Sequence, residues 1–193
     1  LMMSVANPVN AQRRDKTKRT NFFQVGYNIS WLASSGNHFG DPKGSLYVSL
    51  YKEMKVLPLL RFGSGLEYVK NGSYISNESK GIYFVDGEIL PTDNYVYLNY
   101  LTIPLHLTVK LGPIAALAGV SGSYRVDARL ISDEENRKLN NKSYFNRWDA
   151  GAYLGARLTI IFVGIEVRYT RGLVNVIDNY KNQNLQIGLY VAL

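Results

Sequence analysis

His38 and His106 are the only imidazoles in this chain of 193 residues, and cysteine is absent. Disulfides, thiolate metal sites and Cys nucleophiles are therefore excluded, and a His-rich metal site has too few ligands. His106 and Thr108 stand two apart, so on a strand they share one face, the least that a hydroxyl–imidazole pair requires. No serine is placed beside them as a nucleophile, and a hydrogen-bonded histidine in a polar interior accounts for the pair. His38 lies in the run Ser34-Ser35-Gly36-Asn37-His38 near Asp41, polar as surface loops are. No phosphate-cradling glycine loop, HExxH or GxSxG motif occurs, and nothing calls for a cofactor or a metal. What remains is guanidinium–carboxylate chemistry. Arg61, Glu67, Arg125, Asp127, Arg129, Asp149, Arg157, Glu166 and Arg168 recur at odd–even spacings within otherwise apolar stretches. Buried singly, each is costly; set against one another, they satisfy each other.

The elements that must position these residues are strands. From Phe22 onward the pattern is alternation, with no 3.6-residue period of helix length. Phe23, Val25, Tyr27, Ile29 and Trp31 interleave with Gln24, Gly26, Asn28 and Ser30; Leu46, Val48 and Leu50 interleave with Tyr47, Ser49 and Tyr51. Six further segments follow, around Leu60–Tyr68, Leu101–Lys110, Ala116–Arg129, Trp148–Leu158, Val163–Thr170 and Leu185–Leu193. Short joints fall near Glu53-Met54, at Gly112-Pro113 and at 159–162, and long ones at 33–44, 70–94, 131–147 and 173–184. Short turns on one rim and long loops on the other describe an all-β, eight-stranded antiparallel up-and-down transmembrane barrel.

Composition agrees: 19% charged, 12% aromatic, with 15 Tyr and 17 Gly. The net charge of +7 is concentrated in residues 12–20, where Arg13, Arg14, Lys16, Lys18 and Arg19 face only Asp15. That leaves no strongly basic folded surface, and nucleic acid is not an expected partner. A soluble lipocalin-like ligand-binding barrel would alternate in the same way with its apolar face inward. The polar face decides between them, because it is crowded with small residues: Gly26, Ser30, Ser49, Gly63, Gly65, Gly119, Ser121, Gly151, Gly155, Gly164 and Gly188. Water sets no size limit on a side chain, whereas a narrow lumen does. The apolar face carries Trp31, Tyr68, Trp148 and Tyr169 toward strand ends, as membrane girdles do.

Residues 1–11 read as the remnant of a secretory signal peptide, with Val9-x-Ala11 at its end, and residues 12–21 as a basic periplasmic tail. Residues 22–193 form the barrel. Its last strand carries a C-terminal assembly signal of Gln186, Gly188, Val191 and Leu193, with Leu193 where an aromatic is commoner. Three stretches resemble one known group. Tyr100-Leu101-Thr102-Ile103-Pro104-Leu105 is similar to its Y-L-x-I-P-L strand, and Trp148-Asp149-Ala150-Gly151-Ala152-Tyr153-Leu154-Gly155 to its x-D-x-G-x-x-x-G strand. Glu166-Val167-Arg168-Tyr169-Thr170-Arg171-Gly172-Leu173-Val174-Asn175 resembles its E-x-R-Y-x-x-G-L-x-N strand. The group is the PorT-like "porin family" of outer-membrane β-barrel proteins of Bacteroidota. The resemblance implies fold and a Gram-negative outer-membrane location, and no particular activity; the expected size is that of OmpA and OmpX.

The expected role is non-enzymatic: a structural or protein-interaction component, its lumen plugged by the charged network together with His106. Within that network Glu166 has Arg168 nearby on its face, and Asp149 has Arg157. A lipid-modifying outer-membrane enzyme is the alternative, with His38 and His106 as its candidates. The expected partners are outer-membrane lipid, the assembly machinery through the last strand, and other outer-membrane or cell-surface proteins. For the last of these the candidate surface is Ile82, Tyr83, Phe84, Val85, Asp86, Gly87, Ile89 and Leu90, where Asp86-Gly87 predicts a tight hairpin that projects apolar residues.

Overall fold

Alternation of this kind leaves each strand with one face for lipid and one for the interior, and the chain satisfies its backbone by closing on itself. The computed structural model describes residues 19–34, 37–75, 84–85, 88–89, 94–131, 136–138, 145–177 and 179–193. Its strands are β1 (Arg19–Ser34), β2 (Asn37–Lys55), β3 (Leu60–Ile75), β4 (Phe84–Val85), β5 (Glu88–Ile89) and β6 (Asn94–Leu111). They continue as β7 (Ile114–Ile131), β8 (Asn136–Lys138), β9 (Trp148–Ile160), β10 (Val163–Gly172) and β11 (Lys181–Ala192). Eight of them form the wall in the order β6-β3-β2-β1-β11-β10-β9-β7, and β6 pairs back onto β7 to close it, antiparallel throughout. β8 extends the upper edge of β7, and β4–β5 is a separate small hairpin.

The register fixes the stagger. A row of paired residues followed round the wall from Ile29 passes Leu185, Tyr169, Leu154, Ala118, Leu107, Phe62 and Met54. It returns to β1 at Arg19, ten residues from its start. With eight strands, this stagger tilts each one by about 40° from the axis and leaves a bore that side chains can fill.

The outward face is the apolar one, so the soluble lipocalin-like alternative is excluded. On β6, Leu101, Ile103, Leu105, Leu107, Val109 and Leu111 all point out and are 41–63% exposed. At that tilt the run is about 25 Å tall, the height of an outer-membrane apolar band. Toward the long-loop rim, Trp31 stacks near Tyr169 at 6.3 Å and Tyr124 meets Trp148 at 4.9 Å.

Two-residue turns close the other rim at Gly112-Pro113 and Ile161-Phe162. Gly112 supplies a φ of 65°, but Ile161 adopts 60°, a conformation that costs a branched residue about 1–2 kcal/mol. Two sequence expectations are corrected. The β2–β3 turn lies at 56–59, not at Glu53-Met54, and β2 continues through Glu53. The connections predicted at 33–44 and 70–94 begin as strand, because beyond the apolar band both faces turn polar and the alternation fades while backbone pairing persists.

Candidate functional site

Inside the wall, the side chains are arranged in levels. Nearest the short-turn rim, Phe22, Tyr51 and Tyr190 form an apolar cluster over which the Arg157 guanidinium lies, 4.8 Å from the Phe22 ring and 5.1 Å from that of Tyr190. Arg157 donates through Nε and Nη2 to Glu166 Oε2 (2.9 and 2.6 Å) and through Nη1 to Glu53 Oε1 (2.7 Å). The same Glu53 oxygen accepts from Thr108 Oγ1 (3.2 Å) and from His106 Nε2 (3.2 Å). His106 Nδ1 is then left to the Tyr153 hydroxyl at 3.2 Å. One level up, Arg168 donates to Gln186 Oε1 (Nε, 2.7 Å), to the Tyr51 hydroxyl (Nη1, 3.0 Å) and to Glu67 Oε2. Glu67 also accepts from Tyr51 (2.8 Å) and from Gln186 Nε2 (2.9 Å). Every member of these two levels is buried.

Glycine makes the levels fit. A Cβ on Gly63 would strike the His106 ring, and one on Gly119, Gly164 or Gly188 would strike Tyr153, Tyr190 or Tyr47. Each is a close approach that only hydrogen permits, with a large ring seated opposite a missing side chain.

The third level is built of amides. Asn28 and Asn184 both donate to Asn71 Oδ1 (3.1 and 3.3 Å), and Asn182 donates to Asp149 Oδ2 (2.6 Å) and to the Tyr100 hydroxyl (3.3 Å). Beside them lies a cavity of about 30 Å³ lined by Asn71, Asp149, Asn182 and Asn184, with Arg168 and Glu67 in its floor. Above it the lumen turns apolar. Leu32, Val96, Leu98, Tyr100, Ala128 and Phe145 pack with Val176 and Ile177 of the last loop into one buried cluster.

Of the predicted network, Glu67, His106, Arg157, Glu166 and Arg168 therefore meet in the two lower levels. The pairing differs from expectation. Glu166 is held by Arg157, not Arg168, because it faces Arg157 directly in the β9–β10 register. Asp149 is held by Asn182 instead of an arginine, being eight residues up β9 from Arg157. Arg61 sits apart at the short-turn rim and donates to Thr20 Oγ1 at 3.3 Å. Asp127 and Arg129 pair with each other at 2.6 Å toward the opposite rim. Arg125 lies over the Phe145 ring at 5.8 Å.

The residue that sequence reasoning missed is Glu53. Its signal was parity: Tyr51 and Ser49 were assigned to the inner face, and Glu53 continues that series. Gln186 and Gly188, read as part of an assembly signal, are also structural members of the lumen, while Val191 and Leu193 point outward. His38 falls within β2. The 84–89 segment does form a hairpin, Phe84 pairing with Ile89 and Val85 with Glu88, while Ile82, Tyr83, Asp86, Gly87 and Leu90 lie outside the described residues, as does the tail before Arg19.

Comparison with known proteins returns a family. Residues 10–178 match the model of the outer membrane protein β-barrel domain. Among solved structures, Neisserial surface protein A is similar with a TM-score of 0.56 and 13% identity, covering 89% of this chain and 96% of that one. Ail, the attachment invasion locus protein of Yersinia pestis, solved with the heparin analogue sucrose octasulfate, matches with a TM-score of 0.51 and 11% identity over 91% of this chain and 99% of that one. At such identities they speak to fold alone. No curated protein matches the sequence. With a wall of eight lipid-facing strands and a family match over most of its length, the chain belongs to the outer membrane protein β-barrel domain family and resides in the outer membrane.

Proposed function

We propose that this barrel is a non-conducting, non-enzymatic component of the outer membrane whose lumen is plugged and whose working surface is its long-loop rim. The observation that carries the reading is the filling of the bore by the Glu53–Arg157–Glu166 and Glu67–Arg168–Gln186 levels and, above a cavity of about 30 Å³, by the apolar cluster. Eight strands leave no spare width around such a column. The enzyme alternative is disfavoured because both nitrogens of His106 are engaged, by Glu53 and by Tyr153, in a buried position. Recordings in planar bilayers test the reading. Wild-type protein is expected to give no resolved channel steps, and a steady ion-selective conductance would overturn it.

Within the family, the PorT-like group of Bacteroidota is the assignment we favour. Pro104, Asp149, Glu166 and Arg168, which its motifs contain, all line the lumen or its cavity here. On this reading an exported chain places its basic tail and short turns in the periplasm and its long loops at the cell surface. The 84–89 hairpin then supplies the docking surface for another surface protein. Phe84→Asp should abolish partner capture while heat-modifiable gel mobility stays normal; retained capture would refute the docking role.

A further inference from the structure

We propose that the amide level of the lumen binds a single hard cation of calcium size, with Asp149 as its carboxylate ligand and Asn182 and Asn184 as its carbonyl ligands. The hydrogen-bond inventory leads there. The Nδ2 groups of Asn182 and Asn184 are spent on Asp149, Tyr100 and Asn71. Their Oδ1 atoms, and Asp149 Oδ1, are buried with no donor, and so is Oδ1 of neighbouring Asn28. All four residues are fixed on strands, and the three asparagines are at most 6% exposed. Buried oxygens of this kind find a partner in nearly every folded protein. Two sets of donors near the cavity are engaged elsewhere: Thr102 and Ser123 bond each other at 2.8 Å, and Arg168 is taken by Glu67 and Gln186.

Charge points the same way. Glu53, Glu67, Glu166 and Asp127 each have a basic partner, whereas among the described residues Asp149 has none. Arg125 and Lys43 are directed at rings, Arg125 at Phe145 and Lys43 at Tyr95 and Tyr97, and neither Arg125 Nη1 nor Lys43 Nζ has a hydrogen-bond acceptor. Ligands that are all oxygen, without imidazole or thiolate, select hard ions over transition metals. A cavity of about 30 Å³ admits one water-sized occupant, so the ion must shed most of its hydration. Calcium tolerates that with irregular carbonyl ligation, whereas magnesium retains its waters. One carboxylate among neutral ligands places the affinity at a Kd of about 0.1–1 mM, the range of extracellular calcium modules. The apolar cluster above the site makes exchange slow.

Full-length chain refolded in a non-ionic detergent is the sample. Titration calorimetry should give one Ca2+ per barrel, and Tb3+ should show luminescence sensitised by Tyr100 that Ca2+ displaces and Mg2+ does not. Asp149→Asn should weaken Ca2+ binding at least tenfold, while Asp127→Asn, at the rim pair with Arg129, leaves it unchanged. Should Asp149→Asn fail to fold, the wild-type stoichiometry and the Ca2+/Mg2+ contrast still decide. No saturable binding, equal competition by Mg2+ or by Na+ at matched ionic strength, or unchanged binding in Asp149→Asn each overturns the proposal.

Discussion

Removing Glu53 is the sharpest test of whether the bore is dry and closed. Its carboxylate is 1% exposed and meets Arg157, His106 and Thr108 at a single oxygen. Glu53→Ala leaves Arg157 with Glu166 alone, strips His106 and Thr108 of their acceptor and opens a void at the base of the lumen. Breaking a buried pair in this way costs about 3–5 kcal/mol, or roughly two to four powers of ten in the unfolding equilibrium. Glu166→Ala should cost about the same, since it takes the other half of the Arg157 fork. The set Glu53→Gln, Arg157→Met, Glu166→Gln removes all three members of this triad at once. It should recover most of the loss, because replacing a buried triad by neutral groups of similar size is often close to neutral. Urea titrations in detergent, followed by tryptophan fluorescence and heat-modifiable mobility, measure all four proteins. A loss below about 1 kcal/mol for Glu53→Ala would mean that water reaches Arg157 freely. The closed-lumen argument would then fail at its base.

Other outcomes follow from the same geometry. Leu105→Arg, near the middle of the lipid-facing run, should cost about 2–4 kcal/mol and Leu111→Arg, at its end, under about 1, and equal losses would contradict the assigned depth. Gly119→Val drives a side chain into the Leu105 carbonyl and the Tyr153 ring and should cost about 1–3 kcal/mol in the same titrations; a neutral result would show that strand and ring both give way. Protease added to intact cells should spare residues 13–19, and cleavage there with the outer membrane unbroken would reverse the proposed orientation.

The wall was legible because lipid on one side and a narrow lumen on the other force alternation at every position. Tyr47, Ser49 and Tyr51 announce their face by parity alone. Partners were not legible, since parity says which residues point inward and nothing about which meet across the bore. Arg168 meets Gln186 as its direct neighbour in the β10–β11 register, but it reaches Glu67 because of the ten-residue stagger, a property of the closed register and of no single strand. Glu53 was lost to a misplaced turn: apolar, proline-containing 56–59 does not look like the polar turns that usually punctuate strands. The orphaned oxygens of Asn182 and Asn184 were beyond reach too, because an amide in a sequence does not show which of its atoms will be spent.

The bonds that span the bore from one wall to the other join residues far apart in the chain. Arg157 and Glu53 are separated by 104 positions, and Gln186 and Glu67 by 119. Neither can form until β11 zips onto β1 and the cylinder shuts, whereas Arg157–Glu166, Arg168–Gln186 and Tyr51–Glu67 join adjacent strands. A partly assembled sheet in the bilayer would turn Glu53, Glu67, Arg157, Glu166 and Arg168 toward hydrocarbon, at about 2–4 kcal/mol for each guanidinium near the midplane. Half-closed intermediates are thereby priced out, and insertion and zipping of the seam become one kinetic event. Folding should be slow and all-or-none, and any catalyst that speeds it must shield that charged face until the last strand arrives.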